Sequence, residues 1–308
     1  MEKKKKVIAL FLLGICLISG AVGIVIIAKS PLNMSGIGGD KIAIINIEGA
    51  IEGGGGGFGI FGLTSGADDI AKQIQCAGED PSVNAIILRI NSPGGSAAAS
   101  QELHAEVCKA REKGKIVVAS MSDVATSGGY YVACGSDKIV ANPGTITGSI
   151  GVIFSQLQYS ELLEKYGIRA NVIKSGKYKD IGSPLRNMTE EERQILQEMI
   201  DDIYIQFVRA VAEGRQMNES EVLELADGRI LTGRQAKELG LVDELGNFQD
   251  AVDLAAEMGG IEGKPRVIEY GKKSLFEEFF GVFARELGHG IAETFLESGR
   301  QPVSLGSS

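Results

Sequence analysis

The sequence predicts an α/β protein, because segments typical of strands and of helices alternate along most of its length. Apolar runs such as 83–90 and 115–120 are short and rich in Val and Ile, which is typical of buried strands. A longer helical stretch over 96–114 separates them, and helices between strands require parallel pairing with right-handed crossovers. Of the 308 residues, 44% are hydrophobic and 23% are charged, which is the composition of a globular protein.

The first thirty residues form a segment of their own. Four lysines, Lys3 to Lys6, precede an uncharged stretch from Val7 to Ala28. A helix over this stretch would be about 33 Å long, enough to cross a bilayer core. We therefore predict a single-pass anchor in the cell membrane over residues 1–30, with the lysines cytoplasmic and the main body extracytoplasmic. A cleaved signal peptide is the alternative, but its apolar region normally has only about 7–15 residues.

A linker over 31–40 is predicted to lead into a main domain over 41–273. Its first strand covers 41–51, and the glycine run Gly53 to Gly57 is interpreted as a mobile surface loop. The predicted elements that follow are a helix over 65–77, a strand over 83–90, a turn over 92–95, a helix over 96–114, a strand over 115–120, a helix from about 127, a strand over 138–141, a helix over 160–166 and a strand over 168–173.

A long amphipathic helix is predicted after these elements. Thr189 and Glu192 form a capping-box pattern at its start, and apolar residues recur at spacings of three and four up to about Gly214. Beyond the main domain, residues 274–308 are predicted to form a helical segment and a tail. Phe276, Phe279, Phe280, Phe283 and Leu287 give that segment an apolar stripe, which indicates a core or subunit contact.

Charge and cysteine content restrict the class of ligand. The chain has 31 basic and 40 acidic residues, a net charge of −9, and the first thirty residues are basic. An acidic body is repelled by phosphate backbones, so nucleic acid is not an expected partner. Cys76, Cys108 and Cys134 show no C-x-x-C pair, so neither a metal site nor a closed disulfide framework is predicted.

Two glycine-rich turns follow predicted strands and precede predicted helices. In Arg89 to Ser96 (RINSPGGS), adjacent glycines allow backbone N–H groups to point into a cleft at a helix N-terminus. Such a turn could hold a phosphate or an oxyanion, or it could simply be a tight connection that requires glycine. Nucleotide-binding glycine motifs are not present there. In Ala125 to Tyr131 (ATSGGYY), Ser127 lies at a helix start, where serine is often only an N-cap.

A nucleophilic serine would need a base, and the two histidines are poorly placed for that role. His104 falls within a predicted helix of charged residues, and His289 lies near the C-terminus. Both are interpreted as ordinary surface or helix-end histidines.

A lysine can replace the imidazole where its pKa falls towards about 7–8. Segment 174–184 (KSGKYKDIGSP) carries three lysines, and segment 145–151 (TITGSIG) adds the hydroxyl of Ser149. The lysines are Lys174, Lys177 and Lys179. The residues alone leave open which lysine would act, or whether all three belong to a solvated loop.

Five segments together resemble the signal peptide peptidase A family, also called protease IV. They are RINSPGGS, ATSGGYYVA, NPGTITGSIGV, IKSGKYKDIGSP and DGRILTGRQAKELGLVDELG, in that order over most of residues 40–270. The chain length and the single copy of the unit resemble the short form of the family. The resemblance implies the fold of the Clp protease and crotonase superfamily, which is built from repeated β-β-α units.

The resemblance also implies roles for particular residues. Ser127 corresponds to the family's nucleophile, Lys179 to its lysine base, and Ser149 to the hydroxyl that holds the lysine amine. The backbone N–H groups of Gly94 and Gly128 would form the oxyanion hole. No metal or other cofactor is expected.

The function implied is that of a membrane-anchored serine endopeptidase that degrades residual signal peptides in or at the membrane. Short-form members resemble homo-oligomeric rings in which adjacent subunits complete each Ser/Lys dyad. One alternative is a crotonase-superfamily enzyme acting on an acyl-thioester, for which Asp123 is the only acidic candidate near the turns. Another alternative is a catalytically inactive membrane scaffold.

Overall fold

The computed structural model of the chain describes residues 41–55, 57–59 and 62–270, with side chains described outside 56–65. The predicted anchor over 1–30, the linker over 31–40 and the predicted segment over 274–308 lie outside these residues, as does His289. Within the described ranges, no helix is long and apolar enough to cross a membrane.

The strands of the described chain fall into two sheets. They are β1 (Lys41–Glu48), β2 (Ala50–Glu52), β3 (Gly57–Gly59), β4 (Gly62–Gly66), β5 (Val83–Ser92), β6 (Ile116–Thr126), β7 (Lys138–Ala141), β8 (Ile146–Gly148), β9 (Ile230–Thr232), β10 (Glu244–Leu245) and β11 (Arg266–Glu269). The small sheet has the order β2-β4-β3. The large sheet has the order β10-β7-β6-β5-β1-β11, and β8 and β9 extend it beside β6.

Helices connect these strands. They are α1 (Ala67–Glu79), α2 (Ala97–Glu112), α3 (Gly128–Ala133), α4 (Ser160–Lys165), α5 (Glu190–Arg215), α6 (Glu219–Leu225), α7 (Gly233–Glu238) and α8 (Phe248–Met258). All pairs in the large sheet are parallel except β8 with β9. The predicted α/β class with parallel pairing is therefore confirmed.

The large sheet is buried on both faces, which explains the nearly continuous apolar runs of its central strands. Side chains of β1 alternate between the faces: Ala43, Ile45 and Ile47 belong to the larger core cluster with α1 and α2. Ile42 and Ile44 belong to the second cluster, which contains Ala251, Val252, Ala255 and Ala256 of α8. The helices on both faces hold the central strands, and hence the turns at their ends, in fixed positions.

The predicted strand over 168–173 is wrong. This segment lies outside every helix and strand, and its residues are exposed. Ile168, Val172 and Ile173 have the side chains of a strand, but no neighbouring strand in the described chain pairs with them. Strand propensity alone does not form a strand, because an unpaired backbone gains no ladder hydrogen bonds.

Two other predictions need smaller corrections. The predicted first strand is divided at Gly49, whose φ of 73° ends β1 before β2 begins. The predicted surface loop over Gly53 to Gly57 runs into β3, since Gly57 pairs with Thr64. The long helix is confirmed as α5, and Thr189 and Glu192 form the predicted capping box.

Candidate active site

Ser127 lies at the junction between β6 and α3. Strand β6 pairs with β7 over Val118–Met121 and then continues beside β8, so that it delivers Ser127 beyond the end of β7. The residue has φ 50° and ψ −120°, a conformation that is strained for any residue with a side chain. Its N–H donates to the Gly148 carbonyl at 2.9 Å, and its carbonyl accepts from the Tyr131 N–H at 2.8 Å.

The Ser127 side chain does not cap the helix that follows. Although Ser127 occupies the N-cap position of α3, its hydroxyl makes no capping hydrogen bond. The usual structural reason for a serine at a helix start is therefore missing. Backbone bonds fix the residue, and its half-buried hydroxyl faces a cavity.

The PGG turn after β5 packs directly against this serine. Gly94 has φ 96°, and a Cβ at this position would lie 2.5 Å from the Gly128 nitrogen and 2.9 Å from the Ser127 Cβ. A Cβ at Gly95 would lie 2.1 Å from the Ile51 carbonyl oxygen. Both glycines are required because side chains would push the turn away from Ser127 and from β2.

Two backbone N–H groups beside Ser127 have no acceptor among the described residues. They belong to Gly95 and Gly128, and a Cβ at Gly128 would lie 3.2 Å from the Gly95 nitrogen. The Gly94 N–H, by contrast, donates to the Ser92 hydroxyl at 3.1 Å. The geometry thus favours Gly95 over the predicted Gly94 as an anion donor, with Gly128 as its companion.

Sequence reasoning missed Gly95 although a signal was available. Gly95 is the second glycine of the turn and comes directly before Ser96, the N-cap of α2. An N–H at that position lies near the N-terminus of a helix of 16 residues, where negative charge is stabilised.

Ser149 lies close to Ser127 because β8 is the neighbour of β6. The last pair of the ladder joins Thr126 to Gly148, so that the two serines follow adjacent strand ends. Ser149 also has a positive φ, 53°, and its N–H donates to the Arg229 carbonyl at 2.8 Å. Its side chain lines the same cavity as Ser127.

The cavity in front of Ser127 has a volume of about 720 Å³. Ser127, Ser149 and Gly95 line it, and apolar side chains form another part of its wall. That wall includes Phe154, Met199, Ile203, Tyr204 and Phe207. An extended apolar segment of a ligand would therefore fit beside a polar reaction centre.

His104 is not the surface histidine that the sequence suggested. Its ring is partly buried and meets the ring of Tyr131 edge-on, with 5.2 Å between the centroids. Burial lowers the pKa of His104, so the imidazole is neutral near pH 7. His104 does not line the cavity, but its ring contacts Tyr131, which does.

The described chain does not bring Lys179 into the cavity. Lys174, Lys177 and Lys179 lie outside its lining, in a segment whose residues are mostly exposed. Lys174 forms an ion pair with Asp180, and Lys177 forms one with Glu191. The hydrogen bond to Glu191 raises the pKa of Lys177, which keeps that amine protonated.

Lys179 differs from its two neighbours in having no charged partner. Its side chain is exposed and makes no ion pair or hydrogen bond with any described residue. Of the three candidate bases, it is therefore the one without a carboxylate contact in the described structure.

The segment over residues 152–206, here called the arm, exposes many large apolar side chains. Ile153 is 89% exposed and Leu157 is 71% exposed, and Ile173 is fully exposed. Leu162, Tyr166 and Ile168 are exposed in the same way. Such an apolar surface is typical of a segment that packs against another protein.

The fold and the site define a class of protein. A serine held in a strained turn, beside free N–H groups and an apolar cavity, is arranged for nucleophilic attack on a carbonyl. The model of peptidase family S49 matches residues 109–262. This chain belongs to peptidase family S49, and it is a serine peptidase. The predicted resemblance is thereby confirmed.

Relatives of the chain carry consistent names. A candidate protease of Methanocaldococcus jannaschii is 38% identical, over 94% of this chain and 93% of its own length. A candidate signal peptide peptidase SppA of Enterococcus faecium is 43% identical, over 72% of this chain and 62% of its own. Protease 4 of Salmonella typhi is 39% identical over 76% of this chain, but the match covers only 36% of that protein.

Among solved structures, a mutant of the membrane-bound stomatin-specific protease 1510-N is similar over 77% of this chain and all of that chain. The identity is 16% and the TM-score is 0.48.

Proposed function

We propose that the chain cleaves peptides with a Ser/Lys dyad formed by Ser127 and Lys179, and that it acts on residual signal peptides at the membrane. The observation that carries the proposal is the position of Ser127. It occupies a strained turn at the end of β6, next to the end of β8 that carries Ser149, and faces two N–H groups that have no other acceptor in the described chain.

In the proposed reaction, the Ser127 hydroxyl attacks the carbonyl carbon of the scissile peptide bond. Its proton passes to the Lys179 amine, and the negative charge that develops on the carbonyl oxygen is stabilised by the N–H groups of Gly95 and Gly128. The ammonium of Lys179 then protonates the leaving amine. Water attacks the acyl-enzyme with Lys179 again accepting the proton, which releases the second product and restores Ser127.

Ser149 is proposed to hold the Lys179 amine in position. Its hydroxyl lines the cavity beside Ser127 and has no partner among the described residues. A hydroxyl accepts a hydrogen bond from a neutral amine and orients its lone pair towards the serine. The clustering of Ser127 and Ser149 supports this role.

The base is proposed to come from a neighbouring subunit of a homo-oligomeric ring. Two observations support this assembly: the arm exposes a large apolar surface, and Lys179 lies on the arm outside the cavity of its own chain. If the arm packs against an adjacent subunit, its apolar side chains are buried and its lysine can reach the neighbour's serine.

The substrate proposal has support from the cavity and from relatives. The wall formed by Phe154, Met199 and Ile203 matches the apolar middle part of a signal peptide. The Enterococcus faecium relative is named as a signal peptide peptidase, and the Salmonella typhi relative is named protease 4. The uncharged stretch Val7 to Ala28 would hold the body next to the bilayer, where such peptides remain.

A serine-directed fluorophosphonate tests the nucleophile. The full-length chain in detergent should be labelled at Ser127 and should lose hydrolysis of an apolar signal-peptide fragment in proportion to labelling. Ser127→Ala should abolish both, while Ser155→Ala, a change at an exposed serine of the arm, should preserve both. A folded Ser127→Ala enzyme with the wild-type rate would refute Ser127 as the nucleophile and would mean that another residue performs the attack.

A further inference from the structure

A cluster of charged side chains surrounds the turn that carries Lys179. At its centre, the Arg186 guanidinium binds two carboxylates at once. Its Nε and Nη2 donate to the two Asp180 oxygens, each at 2.8 Å. Its Nη1 donates to a Glu192 oxygen at 2.8 Å, and Nη2 contacts the other oxygen of Glu192. Paired bonds of this kind fix orientation as well as charge.

The two carboxylates belong to different parts of the arm. Asp180 directly follows Lys179, whereas Glu192 lies in the first turn of α5 and completes the capping box with Thr189. The side chains of Asp180 and Glu192 are 13% and 3% exposed. Arg186 therefore ties the lysine-bearing turn to the start of the long helix.

Asp180 is the carboxylate next to the proposed base, yet it is engaged elsewhere. Arg186 holds both of its oxygens, and the Lys174 amine shares one of them. The hydrogen bonds from Arg186, and then from Lys174, hold the pKa of Asp180 well below its usual range. Asp180 is thus ionised and already paired, which leaves the Lys179 amine without an anionic partner.

The remaining charges around this turn are also paired. Lys177 forms an ion pair with Glu191, and the Lys174 amine donates to the Lys177 carbonyl at 2.9 Å. The titratable groups facing the turn are Lys174, Lys177, Tyr178, Asp180, Glu191 and Glu192. Within the described residues, Lys179 alone among the cluster's cations has no carboxylate contact.

We propose that Arg186 is a positioning residue for the peptidase reaction: it holds Asp180 away from Lys179 and fixes the Lys179 turn on α5. This inference rests on the proposed role of Lys179 as the base. A free Asp180 carboxylate within reach of Lys179 would favour the ammonium form, which cannot accept a proton from serine. Arg186 does not line the cavity, so it acts through Lys179 and not on the peptide.

The test compares the pH dependence of the full-length oligomer in the wild type and four variants. Removal of the guanidinium in Arg186→Gln frees Asp180 to pair with Lys179. Because the base acts when neutral, the midpoint of the rising limb of kcat against pH should move about one pH unit upward. Below both midpoints, this lowers kcat about tenfold, with KM changed less than about twofold. The double variant Arg186→Gln, Asp180→Asn should bring the midpoint back.

Two further variants complete the comparison. Arg186→Lys should give an intermediate midpoint, because an ammonium cannot bind both carboxylates in the paired geometry. Arg193→Gln is the matched control: Arg193 lies on α5, is 68% exposed and contacts Glu190 at 3.8 Å. This control should leave the midpoint and kcat unchanged. Arg186→Lys keeps the test available if Arg186→Gln does not fold.

The outcomes separate this inference from the function on which it rests. A wild-type midpoint in assembled Arg186→Gln, with Lys179→Ala inactive, would overturn the role of Arg186 and leave the dyad intact. An upward shift that persists in the double variant would overturn the role of Asp180. Activity in Lys179→Ala would overturn both the base and the inference. A rise in KM without a shifted midpoint would indicate a purely structural role and would also contradict the proposal.

Discussion

The sheet and its covering helices bury their apolar residues, whereas the arm exposes many of its own. Strand residues such as Ile86, Ile87 and Leu88 are completely buried, whereas Leu157 and Ile173 of the arm are largely or fully exposed. The sheet holds Ser127, Ser149 and the free N–H groups, and the arm holds Lys179. The proposed half of the site that attacks and stabilises the carbonyl thus lies within one chain, but the proposed base lies on the exposed arm, outside the cavity of its own chain.

The variant with the largest expected effect on stability tests how the C-terminal end of α5, beyond the arm, is joined to the sheet. Arg215, near the end of α5, donates to Asp243 at 2.9 Å, and the two side chains are only 7% and 16% exposed. Asp243→Asn would leave the buried guanidinium without its counter-ion. We expect a loss of about 3–5 kcal/mol in the free energy of unfolding at pH 7, measured by urea titration.

The same ion pair predicts how stability depends on pH. Burial raises the pKa of Asp243, but the hydrogen bond and charge of Arg215, together with the Ile139 N–H and the charge of Lys138, outweigh it and leave the pKa below its ordinary 3.8. Stability from this pair is therefore present above about pH 4 and lost as pH falls through the native pKa. The wild type should lose stability in this range more steeply than Asp243→Asn. Parallel curves for the two proteins would contradict the account.

The second prediction concerns the core of the sheet. Leu88→Ala removes a completely buried side chain from β5 and should lower the free energy of unfolding by about 2–5 kcal/mol. Leu239→Ala, at a side chain that is 36% exposed, should cost less than about 1 kcal/mol. Equal losses in the two variants, measured by denaturant titration, would show that burial does not distinguish these positions.

The third prediction concerns the oxyanion donors. A Cβ in Gly95→Ala would collide with the Ile51 backbone and displace the turn from Ser127. We expect a fall in kcat of about 10²-fold or more, the typical effect of losing such a donor. Gly144→Ala is the matched control, since a Cβ there meets nothing within 4 Å. A folded Gly95→Ala enzyme with the control's rate would exclude this N–H from the reaction.

The smallest expected effect lies on the arm. Ile173→Asp places a charge on a fully exposed position, so the fold of the single chain should be unchanged. If the arm packs between subunits, light scattering should show a smaller assembly, and activity should fall about tenfold or more. Leu223→Asp, an exposed position on α6, should change neither. An intact, fully active Ile173→Asp oligomer would mean that this part of the arm makes no contact between subunits.

The comparison of the two regions also explains what the sequence could predict. The central strands and α5 could be predicted because their sequence patterns reflect contacts within the chain. Both faces of β5 are covered, and Thr189 caps the helix. The segment 168–173 also contains apolar residues but has no partner strand within residues 41–270 as described, and its prediction failed. An apolar pattern predicts that a segment is buried. It does not predict whether the surface that covers the segment belongs to the same chain or to another one.

The candidate site was predictable to a similar extent. Ser127 and Ser149 follow from the resemblance of their segments, and the ladder between β6 and β8 places them together. The choice between Gly94 and Gly95 could not be made from the sequence, since it depends on which N–H the Ser92 hydroxyl accepts. The partner-free state of Lys179 depends on the side-chain contacts of Arg186 and Lys174, which no spacing reveals.

The central claim is that one subunit supplies Ser127 and its neighbour supplies Lys179. It is tested most directly by mixing Ser127→Ala and Lys179→Ala chains, each inactive alone, and reassembling them in detergent. Random assembly in equal amounts should restore about a quarter of the wild-type sites, since each active site needs an intact serine from one chain and an intact lysine from the other. Mixed assemblies that form, as shown by different affinity tags, yet remain inactive would contradict the claim.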